Sequence, residues 1–324
     1  MSGVVAGGGV MGGVVTLGET MALMAATSAG PLQHARAMEL GIGGAESNVA
    51  IGLSRLGVEV TWIGRVGADS LGDLVLRELA AEGIRTIGVR DPEAPTSLMI
   101  KERRTTSDTH VWYYRKGNAG GRLLSSDFDA DLIRGAEVLH LTGISPALSE
   151  GMAETVTEAI RVAKESGVAV SFDLNFRGKL WSREQARESY LSIIPQADIV
   201  FAGDDEAAIA VGEAESASEL ARRIVELGAR EAVIKLGARG ALALADGKEH
   251  SREAVKITAV DTVGAGDAFV AGYLAEYLLG ADVDTRLATA VTTGAYACLV
   301  PGDWEGAPRR HELALLNGSE PVSR

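Results

Sequence analysis

The run DTVGAGDAFVAGYLAEYL, from Asp261 to Leu278, combines three features suited to moving a phosphoryl group. Gly264 and Gly266 lack side chains, so the backbone around Ala265 can lie close against a ligand. Apolar, helix-forming sequence follows at once, and the first amides of a helix are unpaired donors with partial positive charge, suited to an anion. Asp267 stands among those donors, where a carboxylate is held as an anion and can accept a proton. Plain helix capping is the competing reading, because Asp often caps. The stretch alone supports both equally.

Three further clusters have polar chemistry where strands end or helices begin. In GIGGAESN (41–48), Gly43 and Gly44 permit close approach to hydroxyls, and Asn48 can donate and accept at once; a tight turn with a cap explains it as well. In WYYRKG (112–117), strand alternation puts Tyr113 and Arg115 on one face and Trp112 and Tyr114 on the other. A phenol beside a planar cation matches a carboxylate or hydroxy acid, although exposed strands often carry such residues. In DLNFRGKLW (173–181), Asp173, Asn175 and Arg177 alternate onto one side as an apolar strand ends, which is hard to explain as core. KLGARG (235–240) offers Gly237 and Gly240 as a turn beneath a nucleotide, or equally as a plain hairpin. No GxxxxGK[ST], HExxH, GxSxG or cysteine–histidine cluster occurs, and His34, His110, His140, His250 and His311 are scattered.

The elements that must position these groups alternate. Strands are expected at Val14–Gly18, Val58–Gly64, Glu137–Gly143, Val168–Asn175, Ala197–Gly203 and Ala232–Gly237. Helices are expected near 45–56, 70–82, 150–166, after Ser182, at 217–227, from Gly266 and at 285–299. That alternation implies a mostly parallel sheet covered on both faces, with sites at the strands' carboxyl ends. Segments 97–103 and 109–115 read as an antiparallel hairpin outside that layer. Met1–Gly13 reads as a disordered glycine-rich leader; its GxGxxG match at Gly7, Gly9 and Gly12 precedes the first strand, the wrong context for a dinucleotide fold.

A net charge of −13 with no long basic stretch argues against a nucleic-acid partner. One cysteine, Cys298, excludes an intrachain disulfide, and no apolar run reaches the roughly 18 residues of a membrane span, so a reducing cytoplasm and no membrane are expected.

DTVGAGDAF, with GGAESNVAIGLSRLG about 220 residues upstream, resembles the ribokinase-like sugar kinases, the PfkB family. Through VWYYRKGNAG, LHLTGISPALS, DLNFRGKLW and PGDWEGAP the chain is similar to the members of that family that act on 2-keto-3-deoxygluconate. The resemblance implies the ribokinase-like α/β fold: a doubly wound, mostly parallel sheet with helices on both faces. It also implies a small β-sheet lid, drawn from about 33–42 and 97–116, that often joins two copies. The kinase domain is expected over 14–318, with a tail at 319–324. The resemblance further implies Asp267 as catalytic base, with Gly264, Ala265 and Gly266 forming the anion hole. Gly43, Gly44, Asn48, Tyr113, Arg115, Arg177 and Asp303 would contact a sugar acid. ATP would lie across Lys235, Gly237, Gly240, Ala265 and Gly266, with magnesium near Glu206. Two positions depart from the family pattern: Gly203 stands where Asn is usual, and Met99 where the first lid strand often has tyrosine.

Overall fold

A computed structural model describes residues 12–105 and 109–317. From the N-terminus the chain forms β1 (Val14–Leu17), β2 (Met21–Ala26), β3 (Met38–Gly43), α1 (Ala45–Arg55), β4 (Val60–Gly67), α2 (Ser70–Ala81), β5 (Arg85–Asp91), β6 (Leu98–Arg103) and β7 (Thr109–Tyr114). Then come α3 (Asp131–Arg134), β8 (Val138–Thr142), α4 (Ile144–Leu148), α5 (Glu150–Glu165), β9 (Ala169–Asp173), α6 (Arg183–Ile193), β10 (Ile199–Gly203), α7 (Asp204–Val211) and α8 (Ala217–Glu226). The last elements are β11 (Glu231–Lys235), β12 (Ala241–Ala245), β13 (Lys248–Arg252), α9 (Ala265–Leu278) and α10 (Val283–Ala297).

The main sheet runs β13-β12-β11-β10-β9-β8-β1-β4-β5, parallel except for β12 and β13. Its inner strands are buried on both faces, so they read as continuous apolar runs rather than alternating ones. One face packs Leu17, Leu141, Phe172 and Tyr190 toward α5–α8; the other packs Trp62, Phe201, Phe269 and Tyr273 toward α1, α2, α9 and α10. A second sheet, β3-β2-β6-β7, forms the lid.

The expected layout holds, with differences. The lid has four strands rather than the three expected from 33–42, 97–103 and 109–115: β2 is the addition, and β3 begins only at Met38 because Leu32–His34 forms a single 3₁₀ turn. β5 and β13 join as edge strands, where exposure tolerates charged residues that hide a strand signal. Gly12 and Gly13 do not belong to a free leader, since Gly12 N–H donates to the Gly135 carbonyl at 3.1 Å and Gly13 N–H to Glu137 Oε1 at 3.2 Å. Gly7, Gly9 and the tail expected at 319–324 lie outside the described residues.

Close helix contacts set the site. A Cβ at Gly52 of α1 would sit 2.7 Å from the Ala271 Cβ of α9, so the two helices pack with almost nothing between them. Tyr190 braces the opposite side: its hydroxyl donates to the Leu174 carbonyl at 2.8 Å, and its ring meets Phe172 and Trp181 edge-on. Tyr190→Phe should therefore lower stability by about 1–3 kcal/mol, the cost of an unsatisfied buried acceptor. Urea denaturation checks this; an unchanged midpoint would show that the bond adds nothing.

Candidate active site

Because α1 and α9 pack so closely, their first turns lie side by side at the carboxyl end of the sheet. Asn48 Nδ2 donates to Asp267 Oδ2 at 2.8 Å, and Asn175 Nδ2 lies 3.5 Å from Oδ1. Asn175 reaches it only because its backbone turns left-handed, with φ 41°, directly after the Leu174 carbonyl that Tyr190 holds. The Asp267 carboxylate thus faces two side-chain amides rather than its own helix, so it does not act as the helix cap. Its pKa is pushed up to about 7, chiefly by burial; Asn48, Arg177 and Lys235 oppose the rise and Asp173 adds to it.

The helix start beside it is left open. Ser149, Ser182, Ser216 and Asp282 cap α5, α6, α8 and α10 through their side chains, whereas Gly264 begins α9 with no side-chain cap. Gly264 has φ 74°, and a Cβ there would overlap the Asp303 carbonyl, so only glycine fits. An apolar cavity of about 560 Å³ opens next to it, lined by Val255, Ile257, Phe269 and Cys298. All five residues expected to hold a nucleotide line it as well: Lys235, Gly237, Gly240, Ala265 and Gly266. Gly237 and Gly240 adopt φ 56° and 102°. Lys235 is not free for a phosphate, however: its ammonium donates to Asp173 Oδ1 at 2.7 Å and Oδ2 at 2.8 Å. Burial lowers the Lys235 pKa, but Asp173, Glu206 and Asp267 raise it by more.

Across the sheet ends, Tyr113, Arg115 and Arg177 line one cavity of about 1070 Å³ beneath β7. A Cβ at Gly43 would overlap the Asp303 carboxylate and the Met99 methyl, so Gly43 gives up its space to those two groups. Gly44 caps α1 through its backbone, its carbonyl accepting from Asn48 N–H at 2.8 Å.

Several expected substrate contacts are engaged within the chain. Arg115 forms an ion pair with buried Glu19, whose other oxygen accepts from Ser97 Oγ at 2.6 Å. Asn48 is committed to Asp267, and Asp303 to Lys101 of the lid. Arg177 is exposed and donates to the neighbouring Phe176 carbonyl at 3.1 Å. The expected alternation of Asp173, Asn175 and Arg177 is not realised, because β9 ends at Asp173 and the chain turns at Asn175. Glu206 uses one oxygen on Phe176 N–H at 2.9 Å and the other on Gly203 N–H at 2.7 Å. No group of three or more His, Cys, Asp or Glu residues among those described could hold a metal by itself.

Three residues that pattern reading passed over shape the site. Glu19 and Lys101 neutralise Arg115 and Asp303. Glu46 is fully buried with a raised pKa, the effect of burial, and accepts from Thr142 at 2.8 Å and Ser145 at 2.7 Å. A lysine inside an apolar lid strand and a glutamate inside GGAESN were the available signals.

Fold and site define a nucleotide-dependent phosphoryl-transfer protein of the ribokinase type. The profile of the pfkB family carbohydrate kinases matches residues 11–310, and the chain belongs to that family. A 2-dehydro-3-deoxygluconokinase from Bacillus subtilis (strain 168) is 36% identical over 305 residues, spanning 93% of this chain and 94% of the relative. A 2-dehydro-3-deoxygalactonokinase from Haloferax volcanii is 34% identical, spanning 96% of this chain and 99% of the relative. Among solved structures, the candidate ribokinase II of E. coli in complex with ATP and Mg²⁺ aligns with a TM-score of 0.87 at 26% identity, over 94% of this chain and 98% of its own. No helix among the described residues is long and apolar enough to cross a membrane.

A base must be ionised to take a proton. With its pKa pushed up to about 7, an Asp267 that serves as the base expected from the sequence should make kcat/KM for the phosphoryl acceptor fall about tenfold per pH unit below that value and level off above it. A pH–rate profile flat down to pH 5 would contradict the assignment.

Proposed function

We propose that this chain is an ATP-dependent kinase that phosphorylates the terminal hydroxyl of 2-keto-3-deoxygluconate, giving 2-keto-3-deoxy-6-phosphogluconate. The observation that carries the reading is Asp267: a buried carboxylate, held by Asn48 beside an uncapped helix start and next to an apolar cavity ringed by nucleotide-type glycines. Asp267 takes the hydroxyl proton as that oxygen bonds to the γ-phosphorus, and the bond from phosphorus to the bridging oxygen breaks to release ADP. Amides of Gly264, Ala265, Gly266 and Asp267 face the charge on the transferring group, and positioning supplies much of the remaining rate.

Magnesium fits as a companion of ATP, since it commonly binds through phosphates, waters and one or two carboxylates. It would neutralise phosphate charge there. Glu206 would hold it through water, because backbone amides already occupy both of its oxygens.

Selectivity for an acid rests on the cations around the β7 cavity. Arg177 is exposed there, and Lys179 sits 5.6 Å from the Tyr113 ring centroid. Gly43, Gly44 and Asp303 would hold the hydroxyls, with Asn48 acting through Asp267. One observation favours a second reading, a neutral-sugar kinase of the same family: Glu19 already neutralises Arg115. An ADP-release assay across 2-keto-3-deoxygluconate, its galactonate epimer, gluconate, fructose and ribose separates them. The keto-deoxy acids should be preferred; preference for fructose or ribose would overturn the substrate assignment. Asp267→Asn should cost about 10²–10⁴ in kcat, as losing a general base does, and near-wild-type turnover would remove Asp267 from that role.

We also infer a homo-oligomer joined through the lid, in the cytoplasm where ATP is available and the lone cysteine stays reduced. The lid's outer face aligns Leu40, Met24, Ile100 and Trp112 across four strands, with Leu40 60% and Trp112 46% exposed. An exposed apolar row of this kind marks an interaction surface. Replacing both Leu40 and Trp112 by Glu should shift the sedimenting species to monomer; an unchanged oligomer would place the contact elsewhere.

A further inference from the structure

Lys101 is the only lysine in the four lid strands, and strand register places it on the face turned toward the core. Its neighbours on that face are Met99, Leu23 and Val111, which form the lid's small apolar core. Lys101 is only 5% exposed, and its ammonium forms an ion pair with the Asp303 carboxylate. A lysine seldom lies this deep without a carboxylate to match it.

Asp303 stands at a junction. Its carbonyl packs where a Gly264 side chain would be, against the start of α9, and its carboxylate fills the space left by Gly43. The main body thus supplies the Asp303 backbone, while the lid supplies the charge that its carboxylate faces. Burial pushes the Asp303 pKa up, Lys101 opposes the rise, and Glu305 and Asp261 add to it. Lys101 is therefore the cation that keeps this carboxylate an acceptor amid two other acids.

Building on the sugar-kinase reading above, we propose that Lys101 is a positioning residue. From the lid it fixes the Asp303 carboxylate as the acceptor for a hydroxyl of the sugar acid, so that sugar recognition depends on the lid being seated. Lysine has three donors, and Asp303 is the only partner Lys101 has among the described residues. The pair thus joins lid to body without a third protein group.

Steady-state kinetics test this with both substrates varied. Lys101→Met should raise KM for the sugar acid about ten- to a hundredfold, the range expected from one buried charged hydrogen bond. KM for ATP should stay within about twofold, since Lys101 does not line the nucleotide cavity. Lys101→Arg keeps the charge and should recover most of the loss. Because Lys101 acts through Asp303, the double variant Lys101→Met/Asp303→Asn should show the same sugar KM as Asp303→Asn alone. That comparison carries the test even if Lys101→Met fails to fold, because the double variant leaves no unmatched charge. Equal rises in both KM values, an unchanged sugar KM in Lys101→Met, or a double variant clearly worse than Asp303→Asn would each overturn the proposal. A wild-type protein that ignores keto acids and phosphorylates a neutral sugar would instead overturn the substrate reading, with the same KM comparisons then made on that sugar.

Discussion

A carboxylate taken out of water must be either neutralised or held by hydrogen bonds, and Asp267 is the point at which this chain meets that constraint. Burial drives its pKa up and Asn48, Arg177 and Lys235 hold it back near neutrality, while two asparagine amides from distant parts of the sequence, Asn48 and Asn175, face its two oxygens. Each amide depends on packing elsewhere. Asn48 arrives because Gly52 lets α1 lie against Ala271 of α9, and Asn175 because the chain turns left-handed beside the Leu174 carbonyl that Tyr190 pins. The aromatic cluster of Phe172, Tyr190 and Trp181 thus bears on the surroundings of Asp267 through one backbone carbonyl.

Charges around Asp267 are matched within the chain. Lys235 faces Asp173, Arg115 faces Glu19 and Lys101 faces Asp303. Such pairs contribute little net stability compared with apolar packing, but breaking one leaves an unmatched buried charge. Their value here is geometric: each fixes a side chain at the edge of the site. Two of them, Glu19–Arg115 and Lys101–Asp303, connect the lid strands to the body, so these charges also set where the lid sits.

Much of this was legible in sequence because local physics wrote it locally. The turn at Gly264–Gly266, the helix start after Gly43 and the Ser182–Gln185 capping box each appear within a few residues. What stayed hidden has physical reasons. β5 and β13 are the two edges of the main sheet, and edge strands such as RTIGVRD and KEHSR carry exposed charge in place of an apolar run. β2, MALMAA, is a central lid strand of small and flexible residues, without the β-branched and aromatic types that mark a strand. Arg115, Asn48, Lys235 and Asp303 were expected at the site, but the pairings they make were not. A bond such as Asn48 to Asp267 spans 219 positions and leaves no mark in the spacing of either segment.

The claim that unites these observations is that Asp267 takes its proton from the terminal hydroxyl of a keto-deoxy sugar acid. The most direct measurement is ³¹P and ¹³C NMR of the product formed from ATP and 2-keto-3-deoxygluconate. The account predicts a single phosphomonoester with phosphorus coupling at C6 and stoichiometric ADP. Phosphate at any other carbon, or ADP formed with free phosphate and unmodified sugar acid, would contradict it.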